Sequence, residues 1–332
     1  MIDRREFLKS MAGLTTGILL SSASVGSGEE HKTRDRLGPL LPTRRLGRTG
    51  EAVTMLGVGG WHIVNMKEAE AQKTIETALK GGVRFFDSAE SYAENGVRSE
   101  SRLGKLLVPK YRDDIFLMTK TTSRDADGAR QHLEESLKRL NTDRLDLWQV
   151  HAVRNPEDVD ERIDNGVFDV MLEAKETGKT RYIGFTGHSS PAAHERVLEQ
   201  TDIFDTCQLS VNLVDVSYES FIERVVPTLV ERNIGIIGMK ALANGGFFGG
   251  SKHGQHGMNP KIVPDRVSIP EAIRFVWSLP VSTLVTGPDN AAQLQEKIDI
   301  AKAFTSMDDD ERNRLVEKVA DMAGKVVEFY KA

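Results

Sequence analysis

The sequence predicts an α/β fold, a closed (β/α)8 barrel preceded by a β-hairpin and followed by an extra helix. Three observations lead to that class. Eight short apolar runs recur, "MLGVGG", "RFFDSA", "IFLMTK", "LDLWQVH", "YIGFTGH", "TCQLSVN", "IGIIGMKAL" and "TLVTG", and strands buried on both faces read as such near-continuous runs. Stretches with helical spacing separate them, and this alternation favours parallel sheet. No G-x-G-x-x-G follows the first run, so the rival doubly wound sheet lacks its dinucleotide fingerprint. Eight units within roughly 250 residues therefore point to a TIM-type barrel.

The elements follow in order. Residues 1–28 stand outside the barrel. Arg4, Arg5, Phe7, Leu8 and Lys9 match a twin-arginine export signal, and an uncharged stretch runs on from Ser10 to Gly28. That stretch is too short and too rich in Ser, Gly and Thr for a membrane span. The expectation is export to the periplasm through the twin-arginine machinery, with no stable membrane anchor. Residues 29–43 carry charge, Gly and Pro without apolar period and read as a linker. The barrel domain, 44–332, opens with "RRLGRTGEAVTMLG", a hairpin signal around Arg48, Thr49 and Gly50. "DGARQHLEESLKRL" and "NGVFDVMLEAKETGK" have helical spacing, and Gly178 supplies a stop. Ala243 to Asp265 breaks the regular spacing and reads as a mobile lid. Its His253 and His256 sit among glycines without cysteine and with few carboxylates, so no metal site is expected. The closing "SMDDDERNRLVEKVADMAGKVVEFY" reads as a helix capped by Ser306, with acids in its first turn where the dipole favours them.

Composition narrows the function classes. A formal charge of -5 argues against nucleic acid and gives no polybasic membrane patch. The single cysteine, Cys207, excludes an intrachain disulfide framework and cysteine-based metal sites, and reads as a small buried strand residue.

Chemistry in such a barrel sits at the C-terminal ends of the strands. Those ends carry Asp87, Lys120 and His151 on the second, third and fourth runs, with Tyr92 in the loop beyond Asp87. A tyrosine near its reference pKa of roughly 10 is a poor acid and a poor base at neutral pH. A nearby ammonium lowers that pKa, so Lys120 is expected to poise Tyr92 while Asp87 keeps Lys120 charged. His151 can hydrogen-bond and orient a carbonyl oxygen.

"FFDSAESY", "LMTK" and "LWQVH" closely resemble the catalytic segments of the aldo-keto reductases. The resemblance runs from about Arg44 to Ala303, through "RSESRLGKLL", "RYIGFTG", Gln208 and "TGPDNAAQLQEK". It implies a barrel that binds a nicotinamide cofactor without a Rossmann fold, usually NADP(H). It implies Tyr92 as general acid, Lys120 and Asp87 as its tuning pair, and His151 as the group that positions the carbonyl of a small-molecule aldehyde, ketone or alcohol substrate. By the same resemblance Thr186, Gly187, His188, Gln208, Met239, Lys240, Leu242, Gly287, Asp289, Asn290, Gln293 and Lys297 face the cofactor. Trp61 and His62, which follow the first strand, are expected to line the substrate mouth along with the glycine-rich loop.

The sequence departs from the family in informative places. Thr186-Gly187-His188 replaces a Ser-Asn pair, and His188 either takes over the nicotinamide amide or faces solvent. Met239-Lys240-Ala241-Leu242 replaces an aromatic followed by Ser-Pro-Leu; "FTGH" and "GMK" together resemble a bacterial subgroup. Asp289 stands where a 2′-phosphate wants a cation, which makes NAD(H) nearly as good an expectation as NADP(H) unless Lys240 or Lys297 compensates. The alternatives are a non-catalytic nicotinamide-binding protein and a lyase using Lys120 as a Schiff-base nucleophile.

Overall fold

Alternation of side chains along eight short strands decides what this molecule places where. The structure is a computed structural model and describes residues 33–248 and 265–331. The expected leader and the histidines His253 and His256 lie outside the described residues. The barrel strands are β1 (Leu56–Gly59), β2 (Phe85–Asp87), β3 (Phe116–Thr121), β4 (Leu145–Val150), β5 (Thr180–Thr186), β6 (Thr206–Ser210), β7 (Gly235–Met239) and β8 (Thr283–Thr286). Each pairs in parallel with the next, and Leu284 pairs with Leu56 to close the ring. Every one of the eight apolar runs supplies a barrel strand.

Period two sorts the strand residues into two cores. Phe85, Phe116, Met118, Leu147 and Ile237 fill the inside, where Phe85 and Phe116 stack with centroids 4.9 Å apart. Phe86, Leu117 and Trp148 pack outward against the helices. The expected hairpin forms between Thr43–Arg45 and Ala52–Thr54. Leu46 and Val53 join the inner cluster, so the hairpin plugs one end of the barrel and leaves chemistry to the other.

The stretch whose composition reads as a linker also pairs. Arg34–Asp35 and Gly38–Pro39 form a small hairpin. Asp35 accepts two bonds from Arg84, at 2.6 and 2.9 Å, and Leu41 is buried in the main core. Two residues per strand are too few to leave an apolar period in the sequence.

Outer helices include α1 (Glu68–Lys80), α2 (Ser99–Leu106), α3 (Ala126–Leu140), α4 (Val167–Glu176), α5 (Ile269–Trp277) and α6 (Ala291–Lys302). The two helical stretches read from spacing are α3 and α4. At Gly178 the backbone takes φ +75, beyond the end of α4. Helix α2 crosses α3 so closely that a Cβ on Gly104 would lie 2.1 Å from the Arg139 carbonyl oxygen.

The C-terminal helix, α7, corrects the expectation at both ends. It spans Asp309–Val319 and is capped by Asp308, whose carboxylate accepts from the Glu311 amide at 2.8 Å, not by Ser306. Both residue types cap well, and the backbone selects the later one. The helix stops short of Tyr330 because the chain turns back through Gly324, at φ +131. A buried polar cluster then holds the tail: Lys331 Nζ donates to Asp215 at 2.7 Å and Glu328 at 2.9 Å, and Asn212 donates to Glu328 and to the Tyr330 hydroxyl.

Candidate active site

The strand ends opposite the plug open into a cavity of about 440 Å³. The inward phase that places Phe85 in the core brings Asp87, two residues on, to the cavity wall. The same phase on β3 carries Met118 to the core and Lys120 to the wall. Strand register sets Asp87 beside Met118, and Gln149 beside Lys120. His151 follows β4 and its amide donates to the Thr121 carbonyl at 2.7 Å.

Lys120 and Asp87 form a buried ion pair, the two side chains 1% and 3% exposed. The Lys120 ammonium also donates to the Ser88 carbonyl at 2.7 Å. The second Asp87 oxygen accepts from Gln208 Nε2 at 2.9 Å. Because a carboxylate can only accept, this bond fixes which way the Gln208 amide points. Gln208 Oε1 is left buried with no donor among the described residues. An acceptor so placed costs stability until something donates to it.

Tyr92 lies half-buried between two rings. Trp61 meets it edge-on at 5.5 Å and His151 at 5.6 Å. Lys120 Nζ sits 4.9 Å from the centre of its ring. Here the structure overturns one expectation. Burial, and then the Asp87 carboxylate, push the Tyr92 phenol well above its usual value, where Lys120 was expected to lower it. The ammonium faces the ring and spends its donors on Asp87 and Ser88. Tyr92 is consequently a neutral phenol at physiological pH, the protonation state of a proton donor.

His151 is neutral too. Burial holds its pKa well below the usual value, and the cations Lys120, Arg162 and Lys240 press the same way. Lys120 itself is lowered by burial, with Asp87 opposing.

The remaining sequence-predicted residues line this cavity, with one exception. Thr186, Gly187 and His188 follow β5, and His188 is a wall residue rather than a solvent-facing one. Gly187 runs so close to its neighbour that a Cβ would meet the Val153 carbonyl oxygen at 2.5 Å. Met239, Lys240 and Leu242 follow β7; Gly287, Asp289, Gln293 and Lys297 come from the β8 end. Trp61 and His62 close the ring from β1. The exception is Asn290, whose side chain caps α6 by accepting from the Gln293 amide at 2.9 Å.

Two residues expected in separate roles prove to be partners. His62 Nδ1 lies 2.9 Å from Asp289 Oδ1, and its ring packs directly on Gly287. Lys297 is paired with Glu296 at 2.7 Å. Asn244, Gly245 and Phe248, from the start of the glycine-rich loop expected at the mouth, are in the lining. Sequence reasoning missed Ala152, Ile269, Ile273 and Glu296 there; the two isoleucines are indistinguishable in sequence from core residues of α5. Tyr330 was missed as well: its ring lies 4.7 Å from Lys240 Nζ and 5.8 Å from the ring of His188. Among the described residues no cluster of side chains could hold a metal ion, and no helix is long and apolar enough to cross a membrane.

Comparison with known proteins bears on this site. The pattern of the Aldo/keto reductase family matches residues 55–320. The chain is 32% identical over 165 residues to a 6-dehydroglucose reductase of Novosphingobium aromaticivorans, covering 44% of this chain and 52% of that protein, about half its length. It is 29% identical over 267 residues to glycerol 2-dehydrogenase (NADP(+)) of Saccharomyces cerevisiae, covering 66% and 82% of the two chains. In three dimensions it superimposes on the holo form of an aldo-keto reductase from Bacillus halodurans with a TM-score of 0.71, covering 87% of this chain and 99% of that one at 20% identity.

Proposed function

Because the chain belongs to the aldo/keto reductase family of oxidoreductases, we propose that it interconverts an aldehyde or ketone with its alcohol, using a nicotinamide dinucleotide and Tyr92 as the proton donor. The observation that carries this reading is the convergence of Asp87, Lys120, Tyr92 and His151 on one cavity at the open end of the barrel.

The residues present fit the cofactor. Gln208 Oε1, a buried acceptor without a donor, suits the carboxamide N–H of a nicotinamide, and the close-packed backbone at Gly187 and the side chains of Thr186, His188 and Met239 surround the same space. Asp289, Gln293 and Lys297 would hold the adenosine end. The bound nicotinamide supplies or accepts hydride at the carbonyl carbon. The neutral His151 imidazole donates a hydrogen bond to the substrate oxygen and orients it. The neutral Tyr92 phenol passes its proton to that oxygen as negative charge develops there; a positioned acid of this kind is worth about 10²–10⁴ in rate. Lys120 stays protonated between Asp87 and the Ser88 carbonyl and keeps the carboxylate beside the phenol paired.

The Schiff-base alternative gains no support, since the Lys120 amine is buried and committed to Asp87 and Ser88. Export through the twin-arginine signal remains part of the proposal. An enzyme outside the cytoplasm has little reduced nicotinamide to draw on, so the cofactor travels tightly bound. Arg4→Lys with Arg5→Lys should leave the protein in the cytoplasmic fraction; unaltered export would remove this part of the reading.

The experiment is titration of residues 29–332 with NADH and with NADPH, following nicotinamide fluorescence, and then single turnover with an aldehyde. Binding of at least one nucleotide with Tyr92-dependent oxidation is expected. Binding of neither, or turnover that survives Tyr92→Phe, refutes the proposal.

A further inference from the structure

Every acid that lines the cavity has a basic side chain beside it. Asp87 pairs with Lys120, Asp289 with His62, and Glu296 with Lys297. Lys240 is the cavity cation that this pairing leaves over. No carboxylate lies within salt-bridge distance of it among the described residues; what faces its ammonium is the ring of Tyr330, 4.7 Å away. An aromatic face attracts a cation but does not neutralise it.

The position is built rather than incidental. Lys240 follows β7 with φ +59, a left-handed conformation uncommon for a residue with a Cβ, and its carbonyl accepts from the Ala243 amide at 2.8 Å. Tyr330 is anchored in turn by Asn212, Glu328 and Lys331. Its carbonyl lies 3.4 Å from His188 Nδ1, and its ring stands edge-on to His188. Lys240 thus stands on the wall of His188 and Tyr330, and its charge is felt at His151. Burial lowers its pKa to about 8, as expected of an ammonium kept from water.

We propose that Lys240 is the counter-ion for a carboxylate on the substrate, so that the enzyme acts on carbonyl compounds or alcohols that also carry an acid group. This rests on the aldo-keto reductase reading of the same cavity. The carboxylate would break no ion pair of Lys240 among the described residues, and would fix which end of the substrate points at Tyr92. A cofactor phosphate is the other anion that could reach Lys240, and the test separates the two.

Binding is measured without turnover. The wild-type protein and Lys240→Met are titrated with benzoate and with benzamide, each in the presence and absence of saturating nicotinamide nucleotide, following the fluorescence of Trp61 beside Tyr92. The proposal expects wild type to bind benzoate at least tenfold tighter than benzamide, and Lys240→Met to lose that preference both with and without bound nucleotide. Equal binding of the two probes by wild type overturns it. So does a tenfold or greater loss of nucleotide affinity in Lys240→Met with the benzoate preference intact, which would assign Lys240 to a cofactor phosphate. Because neither arm depends on catalysis, absence of turnover refutes the oxidoreductase mechanism without touching this result.

Discussion

A half-buried ammonium with no carboxylate beside it among the described residues should cost the fold a measurable amount, and Lys240→Met should recover it. The Lys240 pKa falls from 10.5 to about 8, and at about 1.4 kcal/mol per unit this corresponds to roughly 3 kcal/mol. Below pH 8 the amine is charged in both the folded and unfolded states, and the folded state carries the whole penalty. Between about pH 8 and 10.5 the folded amine loses its proton while the unfolded one keeps it, so the penalty is relieved as pH rises. Above that range it is gone. Methionine retains the length and apolar stem of lysine, so packing changes little. At pH 7 the variant should be more stable by about 3 kcal/mol; with an unfolding entropy of about 2 cal/mol/K per residue over about 300 residues, Tm rises by roughly 5 °C. The assay is thermal unfolding of both proteins by far-UV circular dichroism at several pH values from 7 to 10.5. The gap should be widest at pH 7 and close by pH 10.5. A gap that stays constant with pH, or a variant less stable at pH 7, would refute the claim that this ammonium is desolvated.

Three other substitutions test separate parts of the site and fold. Tyr92→Phe should lower kcat by about 10²–10⁴ while leaving nucleotide affinity within a few-fold, measured by steady-state kinetics beside fluorescence titration. Gln208→Leu removes both the bond to Asp87 and the proposed carboxamide acceptor; a loss of about 1–3 kcal/mol should appear as roughly 5- to 150-fold weaker nucleotide binding, and unchanged binding would place the carboxamide elsewhere. Gly104→Ala forces a methyl against the Arg139 carbonyl, and overpacking of this kind costs about 1–3 kcal/mol, read as a lower denaturation midpoint with the kinetics of the remaining folded enzyme unaltered.

What the sequence revealed and what it concealed divide along one line. Asp87, Lys120 and His151 were legible because each interrupts or follows an apolar run, and the two-residue period of a strand tells where such a residue must point. The barrel itself was legible for the same reason. The raised pKa of Tyr92 was not, because a sequence names charges without showing which are already spent on one another. The Lys331, Asp215 and Glu328 cluster looks like ordinary surface charge until the tail is seen folded over it. His62 and Asp289 are separated by almost the whole barrel in sequence, and nothing local announces that they touch. Asn290 was misplaced because an amide at a helix start serves its own helix first.

That last pair marks a seam. The barrel closes where Leu284 meets Leu56, strands from opposite ends of the domain, and non-local pairings of this kind are late and slow to form. The proposed catalytic groups at the ends of β2, β3 and β4 stand on one arc that can assemble before the ring is complete. Trp61 and His62 on one side of the seam, and Gly287 and Asp289 on the other, become a single wall only when it shuts. A nucleotide bound as proposed would be gripped by both sides, would bind the closed ring and not its open precursors, and by mass action would hold the ring shut. Occupancy would then act as a safeguard, lowering the share of chains that reopen to proteolysis.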